Sequence, residues 1–557
     1  MKIKLVGLED GFTCYGFRKI AAYIERLNPD TAVHYVSTDV GRTSPIKSIT
    51  RTFGDIDGFN PDRINEIAAG LVDADIVAFS SMTGYSRLTK SIATRVREIS
   101  RKPFLIWGGI HPIIYPEDAI AADVDAICTG EGEFAFEEFY DLFRRGEDYR
   151  GVRNFWFKTD GEVRKNAFRP LMTAEEMETL PFAKYGTGEF IYKPERGFVP
   201  VTIRDYLRMN GLSYTTVWSI GCPLHCTFCG NTKFIANDKN YARVRHPSAK
   251  YAVEEVKHAK SIHGHIQNVL FHDDSFMAIK TTEIEEFAKT WRNELNLPFA
   301  VFGVIPNYVR EDKLQLLTWA GMYRVRMGIQ SGSDRILKFY KRPTPLDKVE
   351  AAVNTISKFA RYHVNPSYDI IVDNPVETRQ DVVDTLELLY RMSRPYQLNI
   401  FSLRVIPNTV LEQQMIEHGL DIEEISANYC KLKPTFANLL LYLLILWRPP
   451  RWLFDILLKK VRATREPQKL YPLLIILIRL PWLAVQGWRH ARVGDLSVMG
   501  GKLSYISYAI WKAGLLRLWL KVAGHPEFIL KKELAAKVGP SFDLRADPRS
   551  LDSAAKT

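Results

Sequence analysis

The sequence predicts an α/β protein: a doubly wound parallel-sheet domain, then a partial (β/α)6 barrel, then a mostly helical C-terminal region. Three observations predict it. Residues 1–150 alternate short apolar runs with longer amphipathic ones, the pattern of a parallel sheet with helices on both faces. Residues 206–420 repeat strand-then-helix signals around six strand runs, which suits a partial barrel. Residues 421–557 carry Leu-, Trp- and Arg-rich runs with no strand alternation. The expected boundaries are 1–150, a linker or small subdomain over 151–205, the barrel over 206–420, and the helical region over 421–557.

Composition bounds the function classes. A chain of 557 residues calls for two to four domains, and its 46% hydrophobic content supports real cores. Six cysteines are present, at 14, 128, 222, 226, 229 and 430, three of them in one short run. That is a reduced-compartment pattern, not a disulfide framework. The start, Met1 to Gly7, reads as a strand and has no signal-peptide core, so a cytoplasmic location is expected. The net charge of +11 gathers in the last third beside apolar runs, which favours an anionic membrane surface over nucleic acid. The last dozen residues read as a polar tail.

The elements follow in order. Lys2–Gly7, Ala32–Ser37, Ala74–Ser80 and Pro103–Trp107 read as strands, and Gly16–Leu27 and Tyr85–Ser100 as helices. Ligands of such sheets sit at the carboxyl ends of the strands. There the chain places Ser80-Ser81-Met82, Gly108-Gly109-Ile110-His111 and Gly130-Glu131-Gly132-Glu133. Trp156, Phe157 and the Asp160-Gly161 turn predict a short hairpin. In the barrel, strands are expected over Thr215–Ser219, Asn268–His272, Phe299–Val304, Tyr323–Ile329, Ser367–Val372 and Gln397–Leu403, with helices between them.

The run Cys222-Pro223-Leu224-His225-Cys226-Thr227-Phe228-Cys229 sits just after the first of these strands. Three thiolates at CxxxCxxC spacing can hold three irons of a [4Fe–4S] cluster and leave the fourth open, where four-thiolate clusters leave none. A zinc site using His225 or His246, or plain buried thiols, are the alternatives.

This spacing resembles the cluster motif of the radical S-adenosylmethionine (SAM) enzymes. Further segments are similar to that superfamily. Phe271 to Phe276 resembles the element that meets the SAM amino group, through Asp273 and Asp274. Gly328-Ile329-Gln330-Ser331-Gly332-Ser333 resembles a Gly-Ile-Glu-Ser-Gly-Ser segment near the ribose, with Gln330 replacing the acid. Phe228 precedes the last cysteine as an aromatic cofactor neighbour. Asp373 to Thr378 resembles a Gly-x-Pro-Gly-Glu-Thr signature whose glycines have become Asp373 and Val376.

The N-terminal region resembles the flavodoxin- or Rossmann-like cobalamin-binding domain of class B members. On this resemblance Ser80 and Met82 line the nucleotide-tail pocket, Gly108 and Gly109 let the tail approach backbone, His111 faces the tail, and Gly130 and Glu131 close the domain. The histidine that such domains often offer to cobalt is missing from Glu9 to Gly16. A scaffold that binds no cofactor is the alternative.

The resemblance implies three cofactors: a [4Fe–4S] cluster, SAM and cobalamin. It implies an external reductant such as flavodoxin or ferredoxin, and methyl transfer from SAM through cobalamin to an unactivated carbon. No catalytic triad is visible, and no catalytic side chain is assigned. A B12-dependent cyclase or oxidoreductase without net methylation is the rival, and a non-catalytic membrane-associated cluster protein a more distant one.

The C-terminal region matches no family. Phe436–Trp447, Trp452–Leu458 and Leu470–Ile478 are apolar runs, cut by Arg448-Pro449-Pro450-Arg451 and by Arg479 and Pro481. A basic, Trp-rich helix is expected over Ile510–Val522. None of these runs reaches the length of a bilayer span, and Trp and Arg beside Leu favour helices lying in an interface. Peripheral contact at the cytoplasmic membrane face and an apolar or lipid-like substrate are expected. A buried helical cap, a dimer surface and true spans are the alternatives.

Overall fold

The computed structural model describes residues 1–9, 11–12, 14–37, 60–159, 161–422, 432–464, 466–496 and 501–522. Asp10 and Thr13 of the first loop, Asp160, Cys430 and the polar tail lie outside the described residues.

The first sheet has nine strands: β1 Ile3–Glu9, β2 Thr31–Ser37, β3 Ile76–Ser81, β4 Phe104–Gly108, β5 Ala126–Cys128, β6 Phe155–Thr159, β7 Glu162–Lys165, β8 Glu189–Lys193 and β9 Gly197–Pro200. Their order is β7-β6-β5-β4-β3-β1-β2-β8-β9. The central part, β5-β4-β3-β1-β2, is parallel. Every residue of β1 is buried, because helices cover both faces, and such strands need apolar side chains on both. The helix Tyr15–Leu27 buries Phe17, Ala21 and Ile24, one stripe at helical spacing. Strand order reverses between β1 and β3, the switch point where open sheets of this order bind ligands.

The segment 151–205, read as a linker or small subdomain, builds both edges of this sheet. β6 and β7 pair antiparallel on one side, forming the expected hairpin, and β8 and β9 on the other.

The second sheet is a parallel fan of six strands in chain order: β10 Ser213–Thr216, β11 Asn268–Phe271, β12 Phe299–Val304, β13 Met322–Gln330, β14 Ser367–Val372 and β15 Gln397–Ser402. Helices between the strands pack on its outside through Val253, Phe287, Trp291, Leu317 and Leu386. The fan does not close on itself, which is the partial (β/α)6 barrel. β10 ends at Thr216, so Val217 to Ser219, expected in the strand, already belong to the loop.

C-terminal helices cover Phe436–Leu446, Arg451–Ala463, Tyr471–Arg492, Leu503–Lys512 and Leu515–Val522. They differ from the sequence reading in two ways. Tyr471–Arg492 is one helix of 22 residues that runs through Pro481. Pro481 is exposed, so the carbonyl it leaves without a donor points outward, and the helix bears the loss. The helix expected over 510–522 is broken instead at Gly514, whose φ of +72° ends one helix before the next begins.

Gln486 on the long helix meets Gln397 of β15. Beyond its end, Leu496 and Leu516 pack with Leu207 and Leu212 ahead of β10. The C-terminal region therefore bridges the two free edges of the barrel.

Candidate functional site

The carboxyl ends of the two sheets face each other across a groove. It encloses about 1660 Å³ of free space including its open mouth. The first sheet contributes Tyr15, Gly16, Ser80, Ser81, Met82, Gly108, Gly109 and Gly130 to Glu133; the barrel contributes Ser219, Phe234, Tyr241, His272 and Asp274. A second cavity, of about 1120 Å³ counted in the same way, opens inside the barrel mouth, between the cysteine loop and the β13–β15 ends. Met82 and Ile110 line both spaces, so the groove and the cavity adjoin across these two residues.

The cysteine loop is built as a docked strap. Cys222, Cys226 and Leu224 pack with Ile305 in a buried cluster, against Phe228, Cys229 and Tyr308. Thr227 N donates to Tyr340 O at 2.9 Å, and Leu411 N donates to Thr227 O at 3.1 Å. Phe228 meets the Tyr340 ring edge-on at 5.0 Å. Burial above all pushes the Cys222 thiol up to about 11 and the Cys229 thiol up to about 12. Such thiols stay protonated unless a cation takes the charge. Among the described residues, no three Cys, His or carboxylate side chains converge as ligands of one ion would. Cys222, Cys226 and Cys229 pack in one small cluster of side chains, and a [4Fe–4S] cluster would take each of them on a different iron.

The strand-end carboxylates divide the work. Asp273 does not open toward a ligand. Its Oδ1 accepts from Ser219 N and Ser219 Oγ, both at 2.5 Å, and its Oδ2 from Trp218 N at 3.2 Å. Ser275 Oγ donates to Gly221 O at 2.8 Å. Asp273 and Ser275 thus hold the approach to Cys222. Burial pushes the Asp273 carboxyl up to about 7, against the hydrogen bonds that favour its charge. Asp274 lines the groove, and burial raises its carboxyl as well.

Gln330 lines the barrel cavity with Phe228 and Cys229. Its φ of +76° is left-handed, a strained state for a residue with a Cβ, and one that clusters at functional sites. Ser331, expected beside Gln330 as a cofactor contact, is fully buried. Its Oγ meets Thr385 Oγ1 at 3.3 Å and accepts from Ser333 N at 3.1 Å. It anchors the strand end to the helix Arg379–Arg391.

On the sheet side, Ser80, Met82, Gly108, Gly109, Gly130 and Glu131 all line the groove. Glu131 is tied down by Arg245 Nη2 at 2.8 Å and by Met172 N at 2.7 Å. Gly109 has φ +91°, and a Cβ there would lie 2.8 Å from Ser80 Oγ and 2.9 Å from Ser81 N. The glycine is demanded by the neighbouring strand end rather than by a ligand alone. His111 is not brought to the groove. It is buried, stacks on Trp107 at 5.0 Å, and places Nε2 2.9 Å from Asp118 Oδ2. Burial lowers its ring below the ordinary histidine range.

Sequence reasoning missed the barrel-floor network. Arg326 Nε donates to Asp369 Oδ1 and Oδ2 at 2.8 and 3.0 Å, and Asn399 Nδ2 to Oδ1 at 2.8 Å. Arg326 and Asp369 line the barrel cavity. The signal was available: polar residues at alternate positions of three parallel strands, facing inward where apolar ones are usual. It also missed Arg342, whose Nη1 lies 3.5 Å from Cys226 Sγ.

The groove at the switch point has room for a large cofactor, and the cysteine loop carries the three thiols that a cluster would need. Comparisons with known proteins agree with both. A family model described as the radical SAM superfamily matches residues 216–389, and one described as a B12 binding domain matches residues 54–140. The chain is 26% identical over 348 residues to an uncharacterised methyltransferase of Pyrococcus horikoshii, covering 61% of this chain and 70% of that protein. It is 24% identical over 333 residues to the anaerobic magnesium-protoporphyrin IX monomethyl ester cyclase of Cereibacter sphaeroides, covering 58% of this chain and 50% of the cyclase. The chain thus spans about half the length of that second relative. Among solved structures, the fold is similar to the cobalamin-dependent radical enzyme OxsB with aqua-cobalamin and SAM bound (TM-score 0.58, 14% identity, 96% of this chain and 80% of that one). It is also similar to the methyltransferase TsrM from Kitasatospora setae with tryptophan and a SAM analogue bound (TM-score 0.57, 15% identity, 75% and 76%).

Proposed function

We propose, for a chain that belongs to the cobalamin-dependent radical SAM enzymes, that it methylates an unactivated carbon of an apolar or lipid-like substrate. The observation that supports this is that groove and barrel cavity adjoin, with Met82 and Ile110 lining both. It would let a methyl donor above and a radical source below meet one substrate. When bound, a reduced cluster with SAM supplies a carbon radical, and methylcobalamin supplies the methyl group.

The chain's own part is positioning and exclusion. Cys222, Cys226 and Cys229 would hold the cluster. Asp274 and Gln330 lie where they could reach SAM, one on the groove side and one on the barrel side. Ile110, Ile114, Ile371, Phe401 and Leu403 line the cavity and would keep water from a reactive carbon. The Arg326–Asp369–Asn399 network offers fixed polar groups at its floor, which would orient a substrate.

The apolar substrate class is supported by the long C-terminal helix. Leu470, Leu473, Leu477, Leu480 and Trp488 are exposed, whereas Arg479, Gln486 and His490 are buried. At 100° per residue the exposed set falls on one face and the buried polar set on the other. An outward apolar face of this kind needs cover. Lys460 and Arg462 lie in the last turn of Arg451–Ala463, and Arg489 and Arg492 in the last turn of the long helix; such basic residues would complement an anionic bilayer, as in an interfacial helix. The helix is also long and apolar enough to cross a membrane, with 17% of its most apolar window buried. The polar buried face favours lying on the bilayer instead.

The test is product analysis in an anaerobic reaction with membrane-lipid extract. Methylation yields both S-adenosylhomocysteine and 5′-deoxyadenosine. The rival, a cyclase without net methylation like the magnesium-protoporphyrin relative, yields only the second. Finding 5′-deoxyadenosine alone, with no methylated product, would transfer the assignment to the rival.

A further inference from the structure

We propose that Arg342 is the charge partner of the three-thiol site and favours the reduced form of the cluster held there. The inference rests on the reading that Cys222, Cys226 and Cys229 carry a cluster, and goes beyond it. Arg342 is 6% exposed. Its Nη1 donates toward Cys226 Sγ at 3.5 Å, and its Nη2 donates to Gly328 O at 2.6 Å. Its Nε is buried without a partner. Among the described residues, Arg342 makes no ion pair. An isolated buried cation costs several kcal/mol unless an opposite charge lies beside it. The Gly328 carbonyl carries no such charge. A cluster on three thiolates does, because its net charge is negative and grows by one when an electron is added.

The surroundings fix the geometry. Arg342 N donates to Leu337 O at 2.9 Å, which ties the segment to the preceding helix. Two residues earlier, Tyr340 O receives Thr227 N, next to Cys226 in the loop. The Gly328 carbonyl belongs to β13, two positions before Gln330. One side chain thus joins the cysteine loop to the strand end that carries the strained Gln330. In the sequence, Lys341-Arg342-Pro343 looks like an ordinary basic surface turn.

A positive charge near the cluster stabilises its more negative form, so Arg342 is expected to make reduction easier. The step is a one-electron transfer from an external reductant into the cluster, with no bond made or broken. The test uses the full chain, loaded with iron and sulfide, in a redox titration read by the electron paramagnetic resonance signal of the reduced cluster. Arg342→Gln should lower the ratio of reduced to oxidised cluster about tenfold at the wild-type midpoint, which is 59 mV for one electron. Arg342→Lys keeps the charge but cannot bridge Cys226 and Gly328 together, and should recover most of that loss. A loaded Arg342→Gln protein with the wild-type midpoint overturns the proposal. So does an Arg342→Lys protein shifted as far as Arg342→Gln, because a purely structural role predicts that. Should Arg342→Gln not fold, wild-type protein labelled with ¹⁵N in its arginine guanidinium groups decides the matter. Pulsed resonance of the reduced cluster should show coupling to ¹⁵N, and its absence overturns the proposal. A chain that takes up no cluster overturns the cluster reading itself, and the role of Arg342 with it.

Discussion

Gly303 of β12 is the residue on which the cysteine strap depends most steeply. Its φ is +67°, and a Cβ built on it would lie 1.8 Å from the Asp273 carbonyl oxygen and 2.9 Å from the Asp274 carbonyl carbon. The left-handed backbone alone costs an alanine about 1–2 kcal/mol. The contact adds more, because the obstacle is backbone and not the end of a flexible side chain. Reaching 3.0 Å, below which real Cβ contacts essentially never fall, requires the Asp273 backbone to withdraw by about 1.2 Å. Overpacking of this kind costs a further ~1–3 kcal/mol, so Gly303→Ala should lose about 3 kcal/mol. The displacement falls on the carboxylate that holds Trp218 and Ser219, three residues before Cys222. A misplacement near 1 Å at a reacting centre costs on the order of 100-fold in rate. The assay compares bound iron per chain and the thermal midpoint of Gly303→Ala with those of Gly264→Ala, where no atom lies within 4 Å of the built Cβ. The control should stay within ~0.5 kcal/mol of wild type. A Gly303→Ala protein that binds iron and melts like the control would refute the reasoning.

Other predictions follow from the same geometry. Replacing any one of Cys222, Cys226 or Cys229 by Ala should abolish the broad iron–sulfur absorption, whereas Cys128→Ala should keep it. Burial holds the rings of His265 and His363 down at about 4. Histidines lowered in the fold stabilise fully above the unfolded value near 6.5 and lose that contribution as the pH falls toward 4. His363, fully buried and bonded to Thr318 Oγ1 at 3.0 Å, should account for roughly 3 kcal/mol of that acid loss; urea titrations of His363→Gln between pH 7 and 4 should show a flatter slope. Glu substitutions at Leu473, Leu477 and Leu480 together should release the protein from anionic vesicles in a flotation assay while leaving its cluster absorption unchanged.

Much of the architecture was legible because the centre of the first sheet and all of the second are parallel, so their strands read as short apolar runs between amphipathic helices. The cysteine loop was legible because its spacing is local. Side-chain direction at strand ends was not. Asp273 and Asp274 are neighbours with identical side chains, and only the fold shows that one grips Ser219 while the other faces the groove. His111 follows a glycine pair at a binding edge, yet Trp107 and Asp118 draw it inward. Ser331 is claimed by a helix roughly fifty residues away in the chain. Asp373 shows the opposite case. It stands where the resembling signature has glycine, and its φ of +59° preserves the glycine conformation. Ser402 Oγ and Asn438 Nδ2 bind its carboxylate at 3.1 and 2.9 Å. The C-terminal helix was read as interrupted because Pro481 normally ends helices; its outward position removes the need.

The most direct test of the two-cofactor account is the anaerobic ultraviolet-visible spectrum of the cluster-loaded chain after incubation with hydroxocobalamin and desalting. The account predicts near-stoichiometric cobalamin retained beside the broad iron–sulfur absorption. Cluster absorption with no retained cobalamin would contradict it, and would leave the N-terminal sheet as a scaffold beside a barrel that acts through SAM alone.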